Sequence, residues 1–120
     1  SIVRGTTSAR IVKLLREAGA TEVHMLSSAP PFLYPCYYGT DIDSRENLIA
    51  ANHSIEEICQ IIGADSVGYL NLDHVGMLMG AQKGEGYCAA CFDGCYPTEV
   101  PTKTCKHRFE GKLSERGNKK

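Results

Sequence analysis

Two groups of residues in this chain have the types and spacing to do chemistry. Arg4-Gly5-Thr6-Thr7-Ser8 sets a cation, a glycine and three hydroxyls directly ahead of a helical pattern. Such a turn offers several backbone N–H groups and the positive end of a helix dipole, which suits a phosphate monoester. Gly5 allows close approach of the backbone to an anion. The same residues also read as a plain helix cap. Cys88-Ala-Ala-Cys91 is a C-x-x-C pair in a glycine-rich stretch. Two thiolates at this spacing can bind one metal ion or one cluster. A zinc module built from Cys88, Cys91, Cys105 and His107 is the alternative, although the x13 gap and the C-x-H ending fit common zinc modules poorly.

The remaining cysteines and the histidines point to less. Cys36 alone reads as a small buried residue, and Cys59, after Ile58 on a helical pattern, reads as core. Cys95 and Cys105 sit at no recognisable ligand position. His24, His53, His74 and His107 read as structural or exposed.

The elements that must position these groups follow an α/β pattern. Ser8 to Ala18 is a predicted helix with Ile11, Leu14, Leu15 and Ala18 on its apolar face, Thr7 or Ser8 as its cap and Gly19 as its stop. Glu22 to Leu26 has strand character, and a helix followed closely by a strand is the αβ half of a βαβ unit. A short helix is expected over Ser44 to Ala51. A second opens at Ser54, where Glu57 completes a capping box, and buries Ile55, Ile58, Ile61 and Ile62 before Gly63 stops it. Ser66 to Leu70 is a second strand, and Leu72 to Met79 a last helix ended by Gly80. Beyond Gln82 periodicity disappears. Two strands are too few for a complete doubly wound sheet.

Composition narrows the class. The chain has 120 residues, 42% hydrophobic and 22% charged, with a net charge of −1, so general polyanion or nucleic-acid binding has no support. No apolar run reaches the roughly 18 residues of a membrane span. The start carries no signal-peptide pattern, and six cysteines without one point to a reducing, cytoplasmic setting. Pro101 to Lys120 holds seven Lys/Arg against two Glu and reads as a basic, frayed tail.

Ser1-Ile-Val-Arg-Gly-Thr-Thr-Ser8 resembles the second half of the phosphoribosyl-diphosphate motif of type I phosphoribosyltransferases. The resemblance is greatest to the glutamine phosphoribosyl-diphosphate amidotransferase family. It continues through Leu15-Arg-Glu-Ala-Gly-Ala20, Ser28-Ala-Pro-Pro31, Tyr34-Pro-Cys36 and Tyr38-Gly-Thr-Asp41. It runs on through Glu46-Asn-Leu-Ile-Ala50, Ile61-Ile-Gly-Ala-Asp65, Cys88-Ala-Ala-Cys-Phe92 and Gly94-Cys-Tyr-Pro-Thr98. About the first hundred residues are covered.

The resemblance implies the C-terminal part of a type I phosphoribosyltransferase parallel sheet with flanking helices over 1–80, a Cys-rich cluster-binding segment over 81–100 and a basic tail over 101–120. It implies that glutamine-derived ammonia displaces diphosphate from C1 of phosphoribosyl diphosphate, giving phosphoribosylamine in the first committed step of purine synthesis. Arg4, Gly5, Thr6 and Thr7 would cradle the 5′-phosphate, and Ser1 would sit beside two ribose-binding aspartates that precede this chain. Magnesium would accompany the diphosphate, held mostly by residues upstream. Some family members carry a [4Fe–4S] cluster, and Cys36, Cys88 and Cys91 match three of its ligands, the fourth lying upstream. The full-length enzyme is expected to be a homo-oligomer, and this chain alone, which starts inside the phosphate loop, to be inactive. A non-catalytic regulator on the same fold is the other alternative.

Overall fold

The computed structural model describes residues 1–42, 44–78, 80 and 86–100. The basic tail, Cys105, His107 and Met79 therefore lie outside the described residues, and with them part of the zinc-module alternative.

Two strands, β1 (His24–Ser27) and β2 (Ser66–Tyr69), pair in parallel, with His24 opposite Ser66 and Ser27 opposite Tyr69. A parallel pair needs a long crossover. The crossover contains a 3₁₀ turn (Arg45–Asn47) and two of the helices, α2 (Ile49–Asn52) and α3 (Ile55–Ile62). α1 (Thr6–Glu17) precedes β1, and α4 (Leu72–Leu78) and α5 (Ala90–Asp93) follow β2. α3 packs on β2 and on α1.

α3 forms as its sequence dictates. The Ser54 hydroxyl accepts the Glu57 N–H at 3.2 Å, the Glu57 carboxylate accepts the Ser54 N–H at 2.8 Å, and Gly63 ends the helix at φ 75°. Its buried stripe is narrower than expected: Ile58 and Ile62 are buried, whereas Ile55 and Ile61 are about half exposed. α1 departs further. It starts two residues early, at Thr6, and its N-cap is Gly5 rather than Thr7 or Ser8. It buries Ser8 and Val12, while Ile11, Leu14 and Leu15 remain exposed. Helical periodicity defines an apolar stripe, but the neighbour in contact selects the buried face. Here that neighbour is α3. The expected helix over Ser44 to Ala51 is broken at Leu48, which takes an extended conformation and buries its side chain completely.

The core divides into two clusters. Ile2, Ile49, Ile58 and Ile62 form one under the sheet, joined by Met25, Val67 and Tyr69. Phe32, Ile42 and Leu48 form the other, joined by Val3, Cys36, Cys91 and Phe92.

An ionic clasp sets the entry to the sheet. The Val23 N–H donates to Asp65 Oδ2 at 2.7 Å and the Asp65 N–H donates back to the Val23 carbonyl at 2.8 Å. Arg16, in the last turn of α1, donates to Asp65 Oδ2 at 2.5 Å and to the Thr21 carbonyl at 2.6 Å. The Val23 N–H holds the Asp65 carboxyl below its ordinary value of 3.8; desolvation opposes this, and Arg16 and His24 reinforce it. A depressed carboxylate contributes stability that is present above its unfolded pKa and lost as pH falls through the folded one. Asp65→Asn should therefore lower stability near neutrality, and the gap from the parent should close in acid below about pH 3.8. Denaturant titrations of both proteins across pH test this. A gap that stays constant with pH would remove the clasp from the acid response.

Candidate functional site: a phosphate-type cleft and a thiol cluster

The segment before α1 is held between the two core clusters. Alternate residues of an extended segment point to opposite sides. Ile2 enters the first cluster and Val3 packs against the second. The Ile49 N–H donates to the Val3 carbonyl at 2.9 Å, tying the loop to the start of α2. Gly5 then turns the chain into the helix at φ 83°. The first intrahelical bond is from the Ala9 N–H to the Gly5 carbonyl at 2.9 Å. The N–H groups of Thr6, Thr7 and Ser8 come before it, and a helix gives such groups no internal partner.

These groups line a cleft of about 440 Å³. Its wall contains all five residues expected at a sugar-phosphate site, Ser1, Arg4, Gly5, Thr6 and Thr7, together with Ser8 and Asp41. Thr6 and Thr7 are exposed and Ser8 is buried. The arrangement can receive an anion on backbone N–H groups, two threonine hydroxyls and the helix dipole. Sequence reasoning did not single out Asp41. It is 35 positions from Thr6, and its only local signal is the apolar Ile42 beside it. Ile42 is buried in the second cluster, and the Ile42 N–H donates to the Thr40 carbonyl at 2.8 Å, which fixes Asp41 on the cleft wall.

Gly5 also has a packing role. A Cβ there would come within 2.7 Å of Ile49 Cδ1. The glycine is needed for the left-handed turn and for packing on α2. Gly5→Val should accordingly cost about 2–5 kcal/mol through backbone strain and overpacking. Thermal unfolding measures it, and a parent-like Tm would show that Ile49 yields freely.

The cysteine segment docks on the second cluster. Cys88 precedes α5 and Cys91 lies within it, so the C-x-x-C pair occupies a helix entry instead of the expected irregular loop. The helix forms because Phe92 packs on Phe32, with ring centroids 4.9 Å apart, and because the Cys91 carbonyl accepts the N–H groups of Leu33 and Tyr34 at 2.9 and 3.1 Å. Cys36 and Cys91 pack against the same buried cluster. The Tyr38 N–H donates to Cys36 Sγ at 3.4 Å. Burial pushes the Cys91 thiol up; its backbone hydrogen bond opposes this, and Cys36, Cys88 and Asp93 are near enough to add to the rise. Fold and sequence thus bring Cys36 to Cys88 and Cys91 across about fifty positions. None of the five described cysteines is in a disulfide. Among the described residues no group of three or more His, Cys, Asp or Glu side chains is placed so that it could hold a metal ion.

The other candidates stay apart from both sites. Cys59 is half-buried and donates to the Ala64 carbonyl at 3.0 Å. Cys95 is exposed. His24 bridges the strands through Ser66 Oγ at 2.8 Å, and His53 lies 3.8 Å from Glu57. Among the described residues no helix is long and apolar enough to cross a membrane.

A parallel strand pair with flanking helices and a cleft at a helix N-terminus is an α/β unit fit for a phosphate-bearing ligand. The chain is homologous to amidophosphoribosyltransferases and corresponds to a part of them. It is 50% identical over 109 residues to amidophosphoribosyltransferase of Archaeoglobus fulgidus, covering 88% of this chain and 23% of the relative. It is 54% identical over 105 residues to that of Bacillus subtilis, covering 83% and 22%. The solved glutamine phosphoribosylpyrophosphate amidotransferase of Bacillus subtilis, complexed with ADP and GMP, superposes with a TM-score of 0.72 at 53% identity, covering 88% of this chain and 24% of that one. A structure described as the allosteric regulatory enzyme of purine biosynthesis gives a TM-score of 0.73 at 52% identity, covering 88% and 23%. The chain therefore spans less than a quarter of the length of the relatives it matches. No family model matches it.

Proposed function

We propose that this chain supplies the 5′-phosphate side of the transferase site in an amidophosphoribosyltransferase, which forms phosphoribosylamine from phosphoribosyl diphosphate and glutamine-derived ammonia. The observation that carries the reading is the cleft itself: Arg4, Gly5, Thr6, Thr7 and Ser8 line it at the N-terminus of α1. The 5′-phosphate would take the N–H groups and hydroxyls of Thr6 and Thr7. Arg4 contributes positive charge and Ser1 the approach to the ribose. Asp41 is the carboxylate on the same wall, an acceptor for ribose hydroxyls or for a magnesium ion beside the diphosphate. Magnesium would neutralise charge developing on the leaving diphosphate. The remainder of its ligands and the glutamine-hydrolysing part would come from other parts of the enzyme.

The thiol site is proposed to hold a [4Fe–4S] cluster through Cys36, Cys88 and Cys91 and one cysteine beyond this chain. Cys36 and Cys91 share one buried cluster, Cys88 is near Cys91, and none is in a disulfide, which suits iron–sulfur ligation. Bound there, the cluster would cross-link α5 to the loop carrying Cys36.

The reaction is tested on the intact protein. Purified enzyme given phosphoribosyl diphosphate, magnesium and glutamine should release diphosphate only when all three are present. Diphosphate release that ignores both glutamine and ammonia would overturn the assignment.

A further inference from the structure

The Cys-rich segment does more than approach the body of the protein. Residues 92–98 run alongside residues 32–38 in matched order. Phe92 meets Phe32. A Cβ on Gly94 would come within 2.9 Å of the Tyr34 ring. The Tyr96 hydroxyl donates to the Pro35 carbonyl at 2.7 Å, and its ring lies 5.3 Å from that of Tyr37. The Tyr38 hydroxyl accepts the Thr98 N–H at 3.3 Å and bonds the Thr98 hydroxyl at 3.0 Å. Cys36 lies inside the first of these segments, and Cys91 sits one residue before the second.

We infer that residues 92–98 form an aromatic strap that assembles the Cys36 and Cys91 thiols beside each other before any metal arrives, with Tyr96 as its positioning residue. The strap's contacts are all between segments of the chain itself. It rests on the proposed cluster only for what the assembled thiols are used for. Gly94 is required because its φ is 78° and the Tyr34 ring leaves no room for a side chain. Arg45 lies over that ring at 5.1 Å and holds it in place. Each attachment is modest, but they act on one short segment, so loosening its centre should release both thiols together.

The test is alkylation by iodoacetamide of the intact protein, as purified and after chelation, with rates read at each cysteine by mass spectrometry. Tyr96→Ala should raise the rates at Cys36 and Cys91 by at least about tenfold, through loss of ring packing and the hydrogen bond. In metal-free protein Cys88, already exposed, and Cys59, on α3, should keep parent rates. Tyr96→Phe keeps the ring and loses only the bond to Pro35, so the rise should be roughly two- to tenfold. In iron-loaded protein the visible absorbance should bleach faster in air for Tyr96→Ala than for Tyr96→Phe. Parent rates at Cys36 and Cys91 in Tyr96→Ala would overturn the strap. If Tyr96→Ala also exposes Cys59, Tyr38→Phe decides: faster Cys36 alkylation supports the strap, and a parent rate overturns it. If the parent protein never takes up iron, the cluster proposal falls, and the alkylation comparison in metal-free protein still decides the strap.

Discussion

Replacing Thr6 and Thr7 together by valine in the intact protein should raise the Michaelis constant for phosphoribosyl diphosphate by two orders of magnitude or more. Both threonines line the cleft at the first turn of α1 and both are exposed to it. A hydrogen bond to a charged group is worth about 1.5–3 kcal/mol, so each lost hydroxyl costs roughly ten- to a hundredfold. Valine preserves the β-branched shape of threonine, so the backbone preference at the helix start is little changed. The Tm should therefore move little, which separates this variant from Gly5→Val, where the fold itself is struck. Either single variant should show an intermediate constant. Unchanged constants in both single variants and the double variant would remove the loop from the substrate site.

Cys88→Ser should abolish iron binding in anaerobically purified protein, from about four irons per chain to none, and bleach the brown colour expected of a [4Fe–4S] protein. Cys59→Ser, on a helix away from the convergent thiols, should keep both iron and colour. Cys88 is exposed and makes no core contact, so its loss acts on the ligand set rather than on packing. Cys36→Ser and Cys91→Ser should lose iron too, with some loss of stability, because both side chains pack on the Phe32, Ile42 and Leu48 cluster. A colourless anaerobic parent containing only zinc would sink the cluster.

The two sites differ in how far they could be read from sequence. Every group of the proposed phosphate site before α1 lies within eight consecutive residues, and the turn, the helix-start N–H groups and the hydroxyls are all local consequences of Arg4-Gly5-Thr6-Thr7-Ser8. The capping box at Ser54, the stop at Gly63 and the two strands are local in the same way. The C-x-x-C spacing identified a pair of thiols, but its partner Cys36 was visible only through family resemblance. Asp41 was not visible at all as a cleft residue, because only the burial of Ile42 turns it toward the loop.

What the sequence by itself determined, then, is whatever depends on neighbours within about one helical turn: a helix start after Gly5, the capping box and glycine stop of α3, and the strand character expected over 22–26 and 66–70, which forms as His24–Ser27 and Ser66–Tyr69. The tertiary structure alone decided which side of α1 is covered, burying Ser8 and Val12 and leaving Ile11, Leu14 and Leu15 outside. It also broke the helix at Leu48 to fill the core, and folded Ala90–Asp93 where no periodicity announced a helix. The pairing of residues 32–38 with 92–98 belongs to the same group. Such choices rest on contacts between residues tens of positions apart, and burial rewards whichever side chain meets a partner, which local pattern does not specify.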